Sequence, residues 1–75
     1  MSKADEMFKE LGYEKFEADD VYERNEQHIV FYSSEREVAI FKKDKEGLGI
    51  DFIDMQELQA INEKVKELGW NEKNV

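Results

Sequence analysis

The chain has 75 residues, 40% hydrophobic and 40% charged, with nineteen acids against eleven bases for a net charge of −8, and it contains neither cysteine nor proline. A chain this short supports one domain, residues 1–75, that buries only about 60% of its unfolded surface, and without thiols it has no disulfide or thiolate metal site to reinforce a small core. The charge opposes binding to phosphate backbones and anionic membranes, and no apolar run reaches signal-peptide or membrane-span length, so the expectation is a cytoplasmic protein with no direct nucleic-acid or membrane partner.

The first predicted element is a short helix over about residues 3–11. Ser2 and Asp5 are spaced as a capping box, and Ala4, Met7, Phe8 and Leu11 follow at helical spacing. Gly12 stands where a helix ends by passing through the left-handed region, and Tyr13 stands where an aromatic folds back over the last turn. The segment "YEKFEADDVYERNE" has strand-like pieces at 13–18 and 21–24, interrupted by the turn-favouring pair Asp19 and Asp20. Strands over 27–33 and 37–43 come next, both rich in β-branched and aromatic residues, joined by a polar turn at "SSE". In the first of them Ile29 and Phe31 share one face, with His28, Val30 and Tyr32 on the other; in the second, Val38 and Ile40 oppose Ala39 and Phe41. Both faces are therefore substantially apolar, so one should lie on the helices and the other needs a cover.

After the turn "KDKEG", "LGIDFI" is a short strand leading into the last helix. Asp54 as N-cap faces Glu57 three residues on, with Ile53 and Leu58 placed as a hydrophobic staple. The apolar stripe reads Leu58, Ile61, Val65 and Leu68, and Glu57, Gln59, Glu63, Lys64, Lys66 and Glu67 read as the opposite face. Gly69 and Trp70 repeat the ending at Gly12 and Tyr13, which explains the near-repeat "KELGY" and "KELGW" as architecture. The fold class is α+β: a three- to four-stranded antiparallel sheet flanked by a short N-terminal and a longer C-terminal helix.

No pattern carries catalytic chemistry. His28 is the sole histidine, and Ser33 and Ser34 sit in a turn without a neighbouring base. Asp44, Glu46, Asp51 and Asp54 have the composition of a calcium loop but the wrong spacing, and Gly47 with Gly49 is only a fragment of a phosphate loop. Lys42, Lys43 and Lys45 form one basic island, better suited to guarding a sheet edge than to binding nucleic acid. The expectation is a non-enzymatic protein without metal or cofactor. Its acids concentrate instead: Glu14, Glu17, Asp19, Asp20, Glu23 and Glu26 lie in a stretch whose only bases are Lys15 and Arg24. They suit either a solvated surface or a mimic of a nucleic-acid backbone that occupies a basic groove on another protein.

The two ends, "ADEMFKELGYEK" and "MQELQAINEKVKELGW", resemble the ends of small proteins encoded by phages and prophages of Gram-positive bacteria. Those proteins begin with "ADEMF-x-x-LGYEK" and finish with "ITMEELQAINK-x-VEELGW". The resemblance covers residues 4–15 and 55–70. Here Ile53, Asp54 and Met55 replace Ile-Thr-Met, exchanging one capping oxygen for another. The resemblance implies a setting, an accessory protein in the cytoplasm of a bacterial host, and transfers no functional residue. The sequence is thus expected to work through protein contacts, with a homodimer as one candidate assembly. Tyr13, Tyr22, Val30, Tyr32 and Trp70 are the candidate contact residues.

Overall fold

The computed structural model describes residues 2–16 and 20–70, with only the backbone of Leu48 and Ile50. In chain order the elements are α1 (Lys3–Glu10), β1 (Glu14–Phe16), β2 (Val21–Arg24), β3 (Gln27–Tyr32), β4 (Glu37–Asp44), β5 (Gly47–Ile50) and α2 (Met55–Glu67). The α+β class and helix–sheet–helix order are as expected. The sheet has five strands, because both pieces around the Asp19–Asp20 pair are used as strands. Residues 17–19, which include the end of the expected 13–18 piece, lie outside the described residues.

Each helix starts and stops for local reasons. Ser2 Oγ accepts from the Asp5 N–H at 3.0 Å and caps α1. The carboxylate of Asp5 does not return the favour: it accepts from Tyr22 Oη at 2.5 Å and Lys15 Nζ at 3.3 Å, tying the helix to the sheet. At α2 the box is complete, with Glu57 N–H donating to Asp54 Oδ1 at 2.8 Å and Asp54 N–H to Glu57 Oε1 at 3.1 Å. Both helices end in the same Schellman motif. Gly12 (φ 92°) and Gly69 (φ 73°) adopt the left-handed region. Tyr13 N–H donates to Phe8 O at 2.9 Å and Gly12 N–H to Lys9 O at 3.0 Å, while Trp70 N–H reaches Val65 O and Gly69 N–H reaches Lys66 O, both at 3.1 Å.

The strands form an antiparallel meander in the order β1-β2-β3-β4-β5. Tight turns make it possible: Asn25 (φ 55°) joins β2 to β3 and Arg36 (φ 54°) closes the "SSER" turn between β3 and β4. The register aligns Lys15, Tyr22, Ile29 and Ile40 across four strands, and Phe31 with Val38. These side chains share the face that the helices cover. Phe8 from α1 is the centre of that core, stacked on Tyr22 (centroids 4.0 Å apart) and edge-on to Tyr13 and Phe31. Such aromatic pairs contribute about 0.5–1.5 kcal/mol each beyond their burial. Trp70 leans on Phe31 at 6.0 Å, so the aromatic after each helix terminus closes the core.

The stripe that α2 buries differs from the expected one. Glu57, Ala60, Ile61 and Lys64 are buried, while Leu58, Val65 and Leu68 are half-buried. These four occupy the i, i+3, i+4, i+7 row of one helix face, so Ala60 and Ile61 meet the core and the two charged residues flank them. Glu57 and Lys64 therefore do not belong to the solvent face, and each meets an opposite charge where it is buried. Lys64 Nζ lies 3.1 Å from Asp20 Oδ1 and 5.8 Å above the Tyr22 ring.

Glu57 anchors a buried polar cluster. It accepts from the Tyr13 hydroxyl and, at 3.3 Å, from Arg24 Nη2. Tyr13 has a single hydroxyl hydrogen, which the carboxylate, the stronger acceptor, takes; Gln27 Oε1, 2.7 Å from the same hydroxyl, accepts from Arg24 Nη2 at 3.0 Å. Arg24 also lies over the Tyr13 ring at 4.6 Å and donates to Leu11 O at 2.8 Å, at the end of α1. Burial, with the bond to Glu57 reinforcing it, pushes the Tyr13 hydroxyl well above its usual range.

Candidate protein-contact surface

Residues on a strand alternate between faces, so those facing away from the helices follow from the register. One row runs Phe16, Val21, Val30 and Ala39; the next runs Glu14, Glu23, His28 and Phe41; a third holds Tyr32 and Glu37. Phe16 and Tyr32 are 49% and 47% exposed, while Val21, Val30, Ala39 and Phe41 are half-buried by their neighbours. Neither helix reaches this face, which was expected to need a cover. A sheet face left to water normally carries polar residues at these positions, and here the row Phe16, Val21, Val30 and Ala39 is wholly apolar, with Tyr32 and Phe41 beside it.

His28 is placed at the middle of this face. Its ring is stacked on Phe41, 5.0 Å away and 3° from parallel. Nδ1 lies 3.0 Å from Glu26 O and Nε2 lies 3.0 Å from a Glu23 carboxylate oxygen. Both neighbours are acceptors for a ring N–H, and the ring they position is stacked on Phe41 in turn.

The expected contact residues are divided by the fold. Val30 and Tyr32 belong to the helix-free face. Tyr13 and Tyr22, 4% and 1% exposed, are core residues with no surface to offer a partner, and their hydroxyls are bonded to Glu57 and Asp5. Trp70 is half-buried against Phe31 and acts as the lid of the α2 end. Tyr13 and Trp70 are drawn in as aromatics folding back over the helix ends, as their place after Gly12 and Gly69 led one to expect, and Tyr22 is drawn in from β2 by Phe8 of α1. The face owes more to Phe16, Val21, Ala39 and Phe41, whose signal in the sequence was the alternation along each strand.

The acidic group also separates. Glu14 and Glu23 stand side by side on the helix-free face. Asp20 turns to Lys64, and Glu26 lies in the β2–β3 turn, 4.0 Å from Lys42. Glu17 and Asp19 lie outside the described residues.

Two further exposed apolar residues are Phe52 (82%), between β5 and α2, and Met55 (67%), the first residue of α2. They were not singled out from the sequence, where Met55 falls outside the helical stripe and Phe52 reads as the end of a strand. A cleft of about 650 Å³ opens between α1 and β1, lined among the described residues by Asp5, Phe8, Lys9, Tyr13, Glu14, Lys15 and Tyr22. Of its polar groups, Lys15 and Tyr22 both donate to Asp5. Burial works against ionisation of Asp5, but the bonds from Tyr22 and Lys15 and the charge of Lys64 outweigh it and hold the carboxyl below its ordinary value. Burial and the bond to Asp5 push the Tyr22 hydroxyl far above its ordinary value, so neither group is poised for proton transfer near neutral pH.

Among the described residues no group of three His, Cys, Asp or Glu side chains is placed to hold a metal ion, and no helix is long and apolar enough to cross a membrane. In comparisons with known proteins, no family model, no curated protein and no solved structure matches the chain.

Proposed function

We propose that this chain is a non-catalytic interaction module that works by laying the helix-free face of its sheet against another protein. The observation that carries the reading is the continuous apolar row Phe16–Val21–Val30–Ala39, bordered by Tyr32 and Phe41, on a face that neither helix covers among the described residues. Covering such a row removes apolar surface from water at roughly 25 cal/mol per Å², which is the usual driving force for association. The setting implied by the terminal resemblance is an accessory protein of a phage or prophage, acting in the cytoplasm of its bacterial host.

A second reading, an acidic mimic that blocks a basic nucleic-acid-binding groove, draws on Glu14 and Glu23 side by side on the same face. The remaining described acids of that segment weigh against it, because Asp20 and Glu26 turn to Lys64 and Lys42 instead of extending the row.

The test is photocrosslinking in cells from an unnatural residue placed either at Tyr32, on the helix-free face, or at Gln59, exposed on α2. Adducts from position 32 and none from position 59 are expected. Silence at position 32, or equal capture from both, would sink the proposal.

A further inference from the structure

The outward side of β4 has a symmetry of its own. From Glu37 to Lys43 the residues on the helix-free face are Glu37, Ala39, Phe41 and Lys43: acid, small, large, base. Read in reverse, the series is base, large, small, acid, so each member finds its complement when a second copy is laid over it antiparallel. The midpoint is Ile40, whose side chain belongs to the opposite, helix-covered face.

From this, and resting on the reading of the helix-free face as a contact surface, we propose that the partner on that face is a second copy of this chain. The two sheets lie face to face about a two-fold axis that crosses β4 at Ile40. In that arrangement Glu37 of each copy meets Lys43 of the other at both ends of the strand, and each Phe41 ring enters the shallow site left by the other's Ala39. Isologous contacts require such self-complementarity, because one patch must serve as both halves of the interface.

Three details fit. Glu37 and Lys43 are exposed, and neither makes an ion pair among the described residues, whereas the adjacent Lys42 is near Glu26. Ala39 is bordered by Val30 on the β3 side, while on the other side the β4–β5 register stops at Phe41 and Ile50, so no β5 residue pairs with Ala39. Phe41 is already oriented by its stack on His28. Sheet twist makes the corners of two packed sheets diverge, which carries the Glu14 and Glu23 corner away from the contact and centres it on β3 and β4.

With strands about 4.8 Å apart and about 3.3 Å per residue, the whole face spans at most roughly 400–500 Å² per copy, and a contact centred on β3 and β4 uses part of it. That is near the low end for specific association, so the pairing should be reversible, with a Kd on the order of 10–100 µM. Each copy carries a net charge of −8, so the measurement belongs at moderate salt, where mutual repulsion is screened.

Sedimentation equilibrium between about 10 µM and 1 mM tests the proposal, with folding of each variant checked by circular dichroism. The wild type should rise from 8.9 kDa toward twice that mass. Glu37→Lys or Lys43→Glu alone sets like charges against each other at both ends and should weaken association about tenfold or more. Two recoveries are then required: the double variant Glu37→Lys/Lys43→Glu associates again, and a one-to-one mixture of the two single variants forms a heterodimer. A wild type that stays monomeric throughout, single variants that associate as wild type does, or a double variant that does not recover overturns the pairing. If the wild type is monomeric while the crosslinker at position 32 still captures another protein, self-pairing alone fails. If the crosslinker is silent as well, the reading of the face fails with it.

Discussion

Glu57→Gln is the sharpest probe of how the helix layer is held to the sheet. The substitution preserves volume and helix propensity and removes only the charge. Glu57 is 3% exposed, and its two oxygens serve three donors: Asp54 N–H, the Tyr13 hydroxyl and Arg24 Nη2. An amide keeps one oxygen. If that oxygen stays on Asp54 N–H, the amide N–H₂ is turned toward Arg24, donor against donor; if it flips, the capping box opens. Hydrogen bonds to a charged group contribute about 1.5–3 kcal/mol, so the expected loss is ~2–3 kcal/mol. A domain of this size has a stability of about 4–11 kcal/mol at 0.05–0.15 kcal/mol per residue, so the variant should still fold, with Tm lower by about 10–20 °C. Urea titration of wild type, Glu57→Gln, Tyr13→Phe and the double variant closes a cycle whose coupling should be about 1 kcal/mol or more. A single-variant loss below about 0.5 kcal/mol, or additive effects, would mean that the cluster contributes nothing specific and would refute the reasoning.

Gly69→Ala should cost ~1–2 kcal/mol by forcing a side chain into the left-handed region, and Gly12→Ala somewhat more, because its Cβ would also meet Arg24 Cδ at 3.3 Å; equal stability by urea titration would refute the shared terminator. Tyr13 and Tyr22 have hydroxyls raised in the folded state, so their contribution is complete below the unfolded value near pH ~10 and is lost as pH rises further. In a Tyr32→Phe background, tyrosinate absorbance should therefore appear together with loss of circular dichroism, and its appearance in a fully folded chain would contradict the burial. Asp5 has the opposite sign. Its carboxyl is lowered in the fold, so it stabilises above about pH 4 and the contribution fades as pH falls through the folded value; Asp5→Asn should flatten that part of the acid stability curve.

Local chemistry was legible in the sequence. Ser2, Asp54, Gly12 and Gly69 act within one turn of the chain, and alternation grouped Ile29 with Phe31 in β3 and Val38 with Ile40 in β4, while the register put the two pairs on one side. The burial of Glu57 and Lys64 was not legible, because their partners Tyr13, Arg24 and Asp20 are more than thirty residues away and belong to other elements. Tyr13 was expected to be at least partly buried as a helix-end aromatic, yet it was also counted as a contact candidate. Only its position beneath Arg24 and beside Glu57 decides between the two. The contact face was visible as an apolar surplus, but the residues that compose it required the register.

The two helices are fastened at both ends by each other's residues. Glu67, in the last turn of α2, accepts from the Ala4 N–H at 2.8 Å in the first turn of α1, while Glu57, in the first turn of α2, holds Tyr13 just beyond the end of α1. During synthesis this imposes an order of events. An eight-residue helix is too short to persist alone in water, so α1, made first, has only its contacts with β1 and β2 to hold it until its distant counterpart arrives. The hairpins can form as they emerge, being local, but the layer over them closes only when the last helix has left the ribosome. Until then the half-finished sheet is bare on both sides, and the nascent chain is a substrate for whatever in the cell attends to exposed strands.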